Sequence, residues 1–206
     1  MFSKKIKAAV AGAIILAGWG VCQTSSQAQS MQSTFISVGE RTLVPYGWLD
    51  FCNRYAGECA PDVDGPTEIK LTAAAFRRIA HVNKLVNKEI EAVSDADQWG
   101  VVDRWDYPTS RKGDCEDYVL LKRRLLIEEG FSARALLVTV VRDERNEGHA
   151  VLTVRTTQGD FVLDNLREGV RPWTDTPYRF VKRQSQTDPN IWVDLHAPQP
   201  ARVAAR

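Results

Sequence analysis

The chain carries no excess of either charge sign, 27 Lys and Arg against 26 Asp and Glu for a formal net charge of +1. With no long basic stripe either, it lacks the electrostatic footprint of a nucleic-acid binder. After the first thirty residues no apolar run approaches the roughly 20 residues that a membrane-spanning helix needs. Repeats and low-complexity tracts are absent, which excludes solenoids and arrays. Histidine is scarce at three and cysteine at four, so chemistry that depends on either has few candidates. Any charged function must be local.

The N-terminus is a different composition. Lys4, Lys5 and Lys7 precede an apolar run from Ala8 to about Val21, and polar residues then lead to Ser26-Gln27-Ala28. This is the layout of a secretory signal peptide with a small-x-small cleavage site. The run, about 14 residues, is too short to span a bilayer, and Cys22 follows bulky Val21 where a lipid-anchored cysteine follows a small residue. The expectation is a signal peptide over 1–28, one domain over 29–195, a disordered tail over 196–206, and no membrane insertion after cleavage. Three cysteines remain, an odd number for an oxidising compartment. Cys52 and Cys59 bracket a turn-rich segment that a disulfide can staple, leaving Cys115 as the free thiol. The alternative for Cys115 is a reduced, buried small hydrophobe.

From Met31 to Pro66 the punctuation by Pro45, Gly47, Pro61 and Asp64-Gly65-Pro66 reads as irregular wrapping. Thr72 then opens a long amphipathic helix with Phe76, Ile79, Val82, Val86, Ile90 and Val93 on one stripe and His81 off it. Residues 94–113 show no period and read as a loop, whose Trp99 and Trp105 either wall a cleft or fill core. A second helix runs from about Cys115 to Glu129, with Tyr118, Leu121, Leu125 and Leu126 inward and Gly130 ending it. Ala133–Val141, His149–Arg155 and Asp160–Asn165 read as three antiparallel strands, with a further one at Ile191–Asp194. A tight connection at Thr157-Gln158-Gly159 brings His149 and Asp164 onto neighbouring rungs of one hairpin.

The chemistry concentrates at Gly113-Asp114-Cys115-Glu116-Asp117-Tyr118. A thiol attacks as thiolate, and a helix N-terminus lowers its pKa. An imidazole that shares the proton and a carboxylate that orients the imidazole complete a nucleophilic site. His149 and Asp164 fit these roles, since His81 lies on a helix surface and His196 in a weak tail. The three carboxylates around the thiol oppose its ionisation. They read either as capping, with Asp114 at the N-cap and Glu116 and Asp117 complementing the helix dipole, or as oxygen ligands of calcium.

These residues, with Trp99-Gly100, Asp103-Arg104-Trp105, Lys122, His149-Ala150-Val151-Leu152 and Leu163-Asp164-Asn165, make the chain resemble the bacterial transglutaminase-like cysteine proteinases. The resemblance spans about Trp48 to Trp173. It implies an α+β, papain-like fold of the transglutaminase type, the Cys helix packed on an antiparallel sheet that carries His and Asp. It also implies a Cys115, His149, Asp164 triad and a Ca2+ site at Asp114, Glu116 and Asp117. LapG-type members of the group are periplasmic and cut a large surface adhesin, under an inner-membrane cyclic di-GMP receptor, so a protein substrate and such a regulator are the expected partners. Alternatives are a transglutaminase using the same triad for transfer to an amine, and a non-catalytic protein-binding module.

Overall fold

The computed structural model describes residues 33–62 and 64–196, so the expected signal peptide and residues 197–206 of the expected tail lie outside the described residues. The backbone is a seven-stranded antiparallel sheet in the order β1-β9-β8-β4-β5-β6-β7. Its strands are β1 (Val38–Thr42), β4 (Leu136–Arg142), β5 (Gly148–Thr156), β6 (Gly159–Leu163), β7 (Arg171–Pro172), β8 (Arg179–Gln184) and β9 (Trp192–Leu195). The helices are α1 (Tyr46–Arg54), α2 (Ala73–Glu89), α3 (Asp95–Trp99) and α4 (Cys115–Glu128). A short parallel pair, β2 (Glu91–Ala92) with β3 (Lys112–Gly113), stands apart from the sheet. Among the described residues no helix is long and apolar enough to cross a membrane.

Period-2 burial explains the sheet. Leu136, Val138, Ala150, Leu152 and Val154 face a core built with α1, α2 and α4, whereas Val141, Val151 and Val162 face a smaller cluster with Ile36, Trp173 and Phe180. The apolar run of β4 is thus buried on both faces, and the central position of that strand follows.

Helix α2 begins where expected, with Thr72 Oγ1 accepting from Ala75 N at 3.1 Å. It stops at Glu89 rather than reaching Val93, because Ile90 is extended and Glu91–Ala92 pair with Lys112–Gly113. The "irregular" stretch before Pro66 contains β1 and α1. Pro45 leads directly into α1, and Trp48 and Phe51, one turn apart, are buried there. The 94–113 loop carries α3, capped by Ser94 and ended by Gly100 at φ 70°. Trp105 fills core, while Trp99 is half exposed under the Arg104 guanidinium.

In α4 the inward face differs from the expected stripe: Lys122 and Arg123 are buried, whereas Leu121 and Leu125 are only half-buried. Arg123 Nε donates to Leu136 O at 3.1 Å, which lets a guanidinium occupy that face. The Cys52–Cys59 disulfide is formed and ties α1 to the turn after it, leaving Cys115 free.

Candidate active site

Two structural choices bring the expected catalytic side chains together. Parallel pairing of β3 with β2 delivers the chain into α4, so Cys115 is the first helical residue. The two-residue turn at Thr157-Gln158, with Gly159 at φ 129°, pairs Thr156 with Gly159 and Leu152 with Leu163. Asp164 therefore leaves β6 beside the start of β5, and His149 Nε2 lies 2.9 Å from Asp164 Oδ1. The Ala150 backbone N–H donates to Cys115 Sγ, which sets the thiol against the residue next to His149.

Asp164 is buried and well supplied with donors. Besides His149 it accepts from Leu166 N at 3.0 Å and from Tyr178 Oη at 2.5 Å. Burial pushes this carboxyl up, yet the bonds from His149, Tyr178 and Leu166 outweigh burial and hold it below the usual carboxylate range. It is thus held ionised beside the imidazole. With Nε2 engaged by Asp164, Nδ1 is the ring nitrogen left for proton exchange with a thiol.

The thiol is in the opposite situation. Burial, the Glu116 carboxylate, to which Sγ donates at 3.1 Å, and Asp114 push it well up, against the Ala150 amide. The same first turn holds two buried acids. Burial and Asp114 raise Glu116 to about 9, and burial with the neighbouring aspartates raises Asp117 to about 8.

Capping does not account for these acids. Asp114 stands at the N-cap position of α4 but makes no side-chain cap, and its Oδ2 instead accepts from Asp95 N at 3.3 Å. Asp117 Oδ1 accepts from Asp106 N at 2.8 Å. The carboxylates of Asp95, Asp114 and Asp117 place oxygens within 4.8 Å of one another, as do those of Asp95, Asp103 and Glu116. The three expected metal residues therefore fall into two groups that share Asp95.

Two features fit this donor set to a hard cation. Asp95 Oδ1 is buried without a hydrogen-bond partner while Arg104 N binds the other oxygen of the same carboxylate. Gly113 has no side chain where an added Cβ would collide with the Asp117 carboxylate, so the glycine keeps that oxygen in place. An all-oxygen, all-carboxylate set suits a hard divalent ion. On sequence alone, Asp103 enters with the Asp103-Arg104-Trp105 motif, and neither it nor Asp95 is assigned to the metal.

A family model for the bacterial transglutaminase-like cysteine proteinases matches residues 38–200. The chain belongs to this family. It is thus a cysteine peptidase, and the expected α+β fold is the observed one. Solved structures of Legionella pneumophila LapG share that fold. The calcium-bound form is 20% identical with a TM-score of 0.51, covering 66% of this chain and 77% of that one. The EGTA-treated form is 21% identical with a TM-score of 0.50, covering 64% and 70% respectively. No match is found among curated protein sequences.

Proposed function

We propose that this proteinase is a calcium-dependent periplasmic endopeptidase working through Cys115, His149 and Asp164. The observation that carries the reading is the 2.9 Å His149–Asp164 bond beside a thiol that opens a helix and accepts the Ala150 amide. Cys115 Sγ gives its proton to His149 Nδ1 and bonds to the carbonyl carbon of the scissile peptide. The carbonyl oxygen takes the negative charge and is held partly by the Cys115 backbone amide. Collapse of the adduct breaks the C–N bond, and the leaving amine takes the proton from Nδ1. A water then gives a proton to Nδ1 and attacks the thioester carbon; collapse breaks the C–S bond and releases the acid as Nδ1 returns the proton to Sγ. Throughout, Asp164 holds the Nε2–H and so keeps Nδ1 facing the reaction.

Asp95, Asp103, Asp114, Glu116 and Asp117 are the residues that would hold calcium. Bound there, the ion supplies positive charge against the acids that otherwise oppose the thiolate. Ca2+ is favoured by the oxygen-only donor set, and one of the matched LapG structures is a calcium-bound form. The substrate in this reading is a protein, specifically a large surface adhesin cut to release cells from a biofilm, with an inner-membrane cyclic di-GMP receptor as regulator. Family resemblance supports both partners, and the N-terminal leader pattern supports the periplasm.

The test is alkylation of Cys115 by iodoacetamide across pH, with calcium and with EGTA, together with loss of proteolysis in Cys115→Ala. Labelling near neutral pH that falls in His149→Ala and slows in EGTA is expected. Labelling that rises only beyond about 8.5, the ordinary thiol value, or proteolysis retained by Cys115→Ala, would refute the mechanism.

A further inference from the structure

Tyr178 lies outside every motif that carries the triad. It follows the turn at Trp173–Asp175 and immediately precedes β8, which two strands, β4 and β5, separate from β6 in the sheet. Its side chain nevertheless crosses the sheet end to the residue just past β6, and it is buried, at 5% exposure. The phenol donates to Asp164 Oδ2 at 2.5 Å, and the ring sits 5.5 Å from the His149 ring, centroid to centroid. Burial and the Asp164 bond push the phenol well up, so it remains a donor.

The two oxygens of Asp164 have divided duties. Oδ1 accepts from His149 Nε2 and Leu166 N, and Oδ2 accepts from Tyr178. A carboxylate 4% exposed with one empty oxygen carries the desolvation cost of an unpaired anionic acceptor. It relieves that cost by turning about its Cβ–Cγ bond toward other donors. Among the described residues the charged groups facing Asp164 are His149, Lys122, whose buried ammonium it attracts, and Arg167, whose guanidinium lies 6.0 Å from the Tyr178 ring centre. Either cation is a competing destination for a turned carboxylate.

We propose that Tyr178 is a positioning residue of this active site, anchoring Asp164 Oδ2 so that Oδ1 stays committed to the Nε2–H of His149. The inference rests on the triad reading above. Without the anchor the Nε2–H tautomer loses its preference, and the Nδ1 lone pair is no longer reserved for the thiol proton.

The experiment is nitrogen-15 NMR of histidine in the calcium-loaded protein, with His149 assigned by His149→Gln. The wild type should show neutral His149 as the Nε2–H tautomer, and Tyr178→Phe should reduce that preference about tenfold, the scale of one hydrogen bond to a charged group. Phenylalanine fills the same volume, so a packing role alone leaves the tautomer unchanged; an unchanged tautomer overturns this inference and leaves the triad standing. A wild-type His149 that is not the Nε2–H tautomer overturns both. Should Tyr178→Phe not fold, 3-fluorotyrosine at position 178 keeps the shape and strengthens the donor. It should move the Nε2–H resonance, and a resonance that stays put overturns the inference.

Discussion

Calcium binding at neutral pH should expel protons, because two of the acids that would hold the ion, Glu116 and Asp117, keep theirs without it. Burial raises Glu116 to about 9 and Asp117 to about 8. At pH 7 this leaves the first about 99% and the second about 90% protonated, so loading the site releases about two protons. The apparent affinity then rises about a hundredfold per pH unit near neutrality. The assay is calorimetric titration of the metal-free protein with calcium in two buffers of different ionisation enthalpy, whose difference in apparent enthalpy counts the protons. The sign also fixes stability. Both folded values lie above the unfolded carboxylate range near 4, so their contribution to the metal-free protein is complete below about pH 4 and is lost as pH rises through about 8 to 9. Calcium should therefore raise Tm more at pH 8 than at pH 5. An enthalpy independent of buffer would show carboxylates already ionised before the ion arrives, and the account of the cluster would fail.

Asp95→Asn should weaken calcium binding at least about tenfold by the same titration, since Asp95 is common to both carboxylate groups; unchanged affinity would remove it from the site. Burial lowers the Lys122 ammonium to about 7 against the pull of Asp164. The unfolded chain thus binds the extra proton between about pH 7 and 10.5, and this group's contribution to stability rises with pH across that window. Lys122→Met should accordingly gain on the wild type more at pH 6 than at pH 10 in urea unfolding, and a pH-independent gap would refute the lowered value. Opening the Cys52–Cys59 bridge by Cys52→Ser with Cys59→Ser, across a sequence separation of 7, should cost about 2 kcal/mol in the same unfolding measurement. No loss would mean that packing of Trp48 and Phe51 alone holds α1.

What the sequence discloses here tracks how local each contact is. The β4 to β6 run was legible because buried strands are apolar and β-branched, and a two-residue turn then determines which residues stand beside His149. Strand β8 was not, because its inner positions include Arg183 and Gln184. Their burial is sustained by Asp160, 3.5 Å from Arg183, and by Val138 N, which donates to Gln184 at 3.0 Å, so a buried strand has a polar sequence. Helix α4 misled for the same reason: Lys122 and Arg123 face inward and displace the leucine stripe. At the site, Cys115, His149 and Asp164 are legible as candidates because each combines a distinctive residue type with a local element. Asp95 and Tyr178 are not, since Asp95 meets Asp114 across 19 residues and Tyr178 meets Asp164 across 14, with no periodic signal on the way. The acids of the first turn show the limit most plainly. Their identity admitted capping and metal binding alike, and the choice rests on geometry: a side chain at the N-cap position that makes no cap, two buried neighbours, and one orphaned oxygen on Asp95. A helix that wanted only a dipole partner would leave those carboxylates in water, where they cost nothing to ionise. Buried beside a thiol, Glu116 and Asp117 ionise near neutral pH only when a positive charge joins them, and that coupling links the acid cluster to the nucleophile it surrounds.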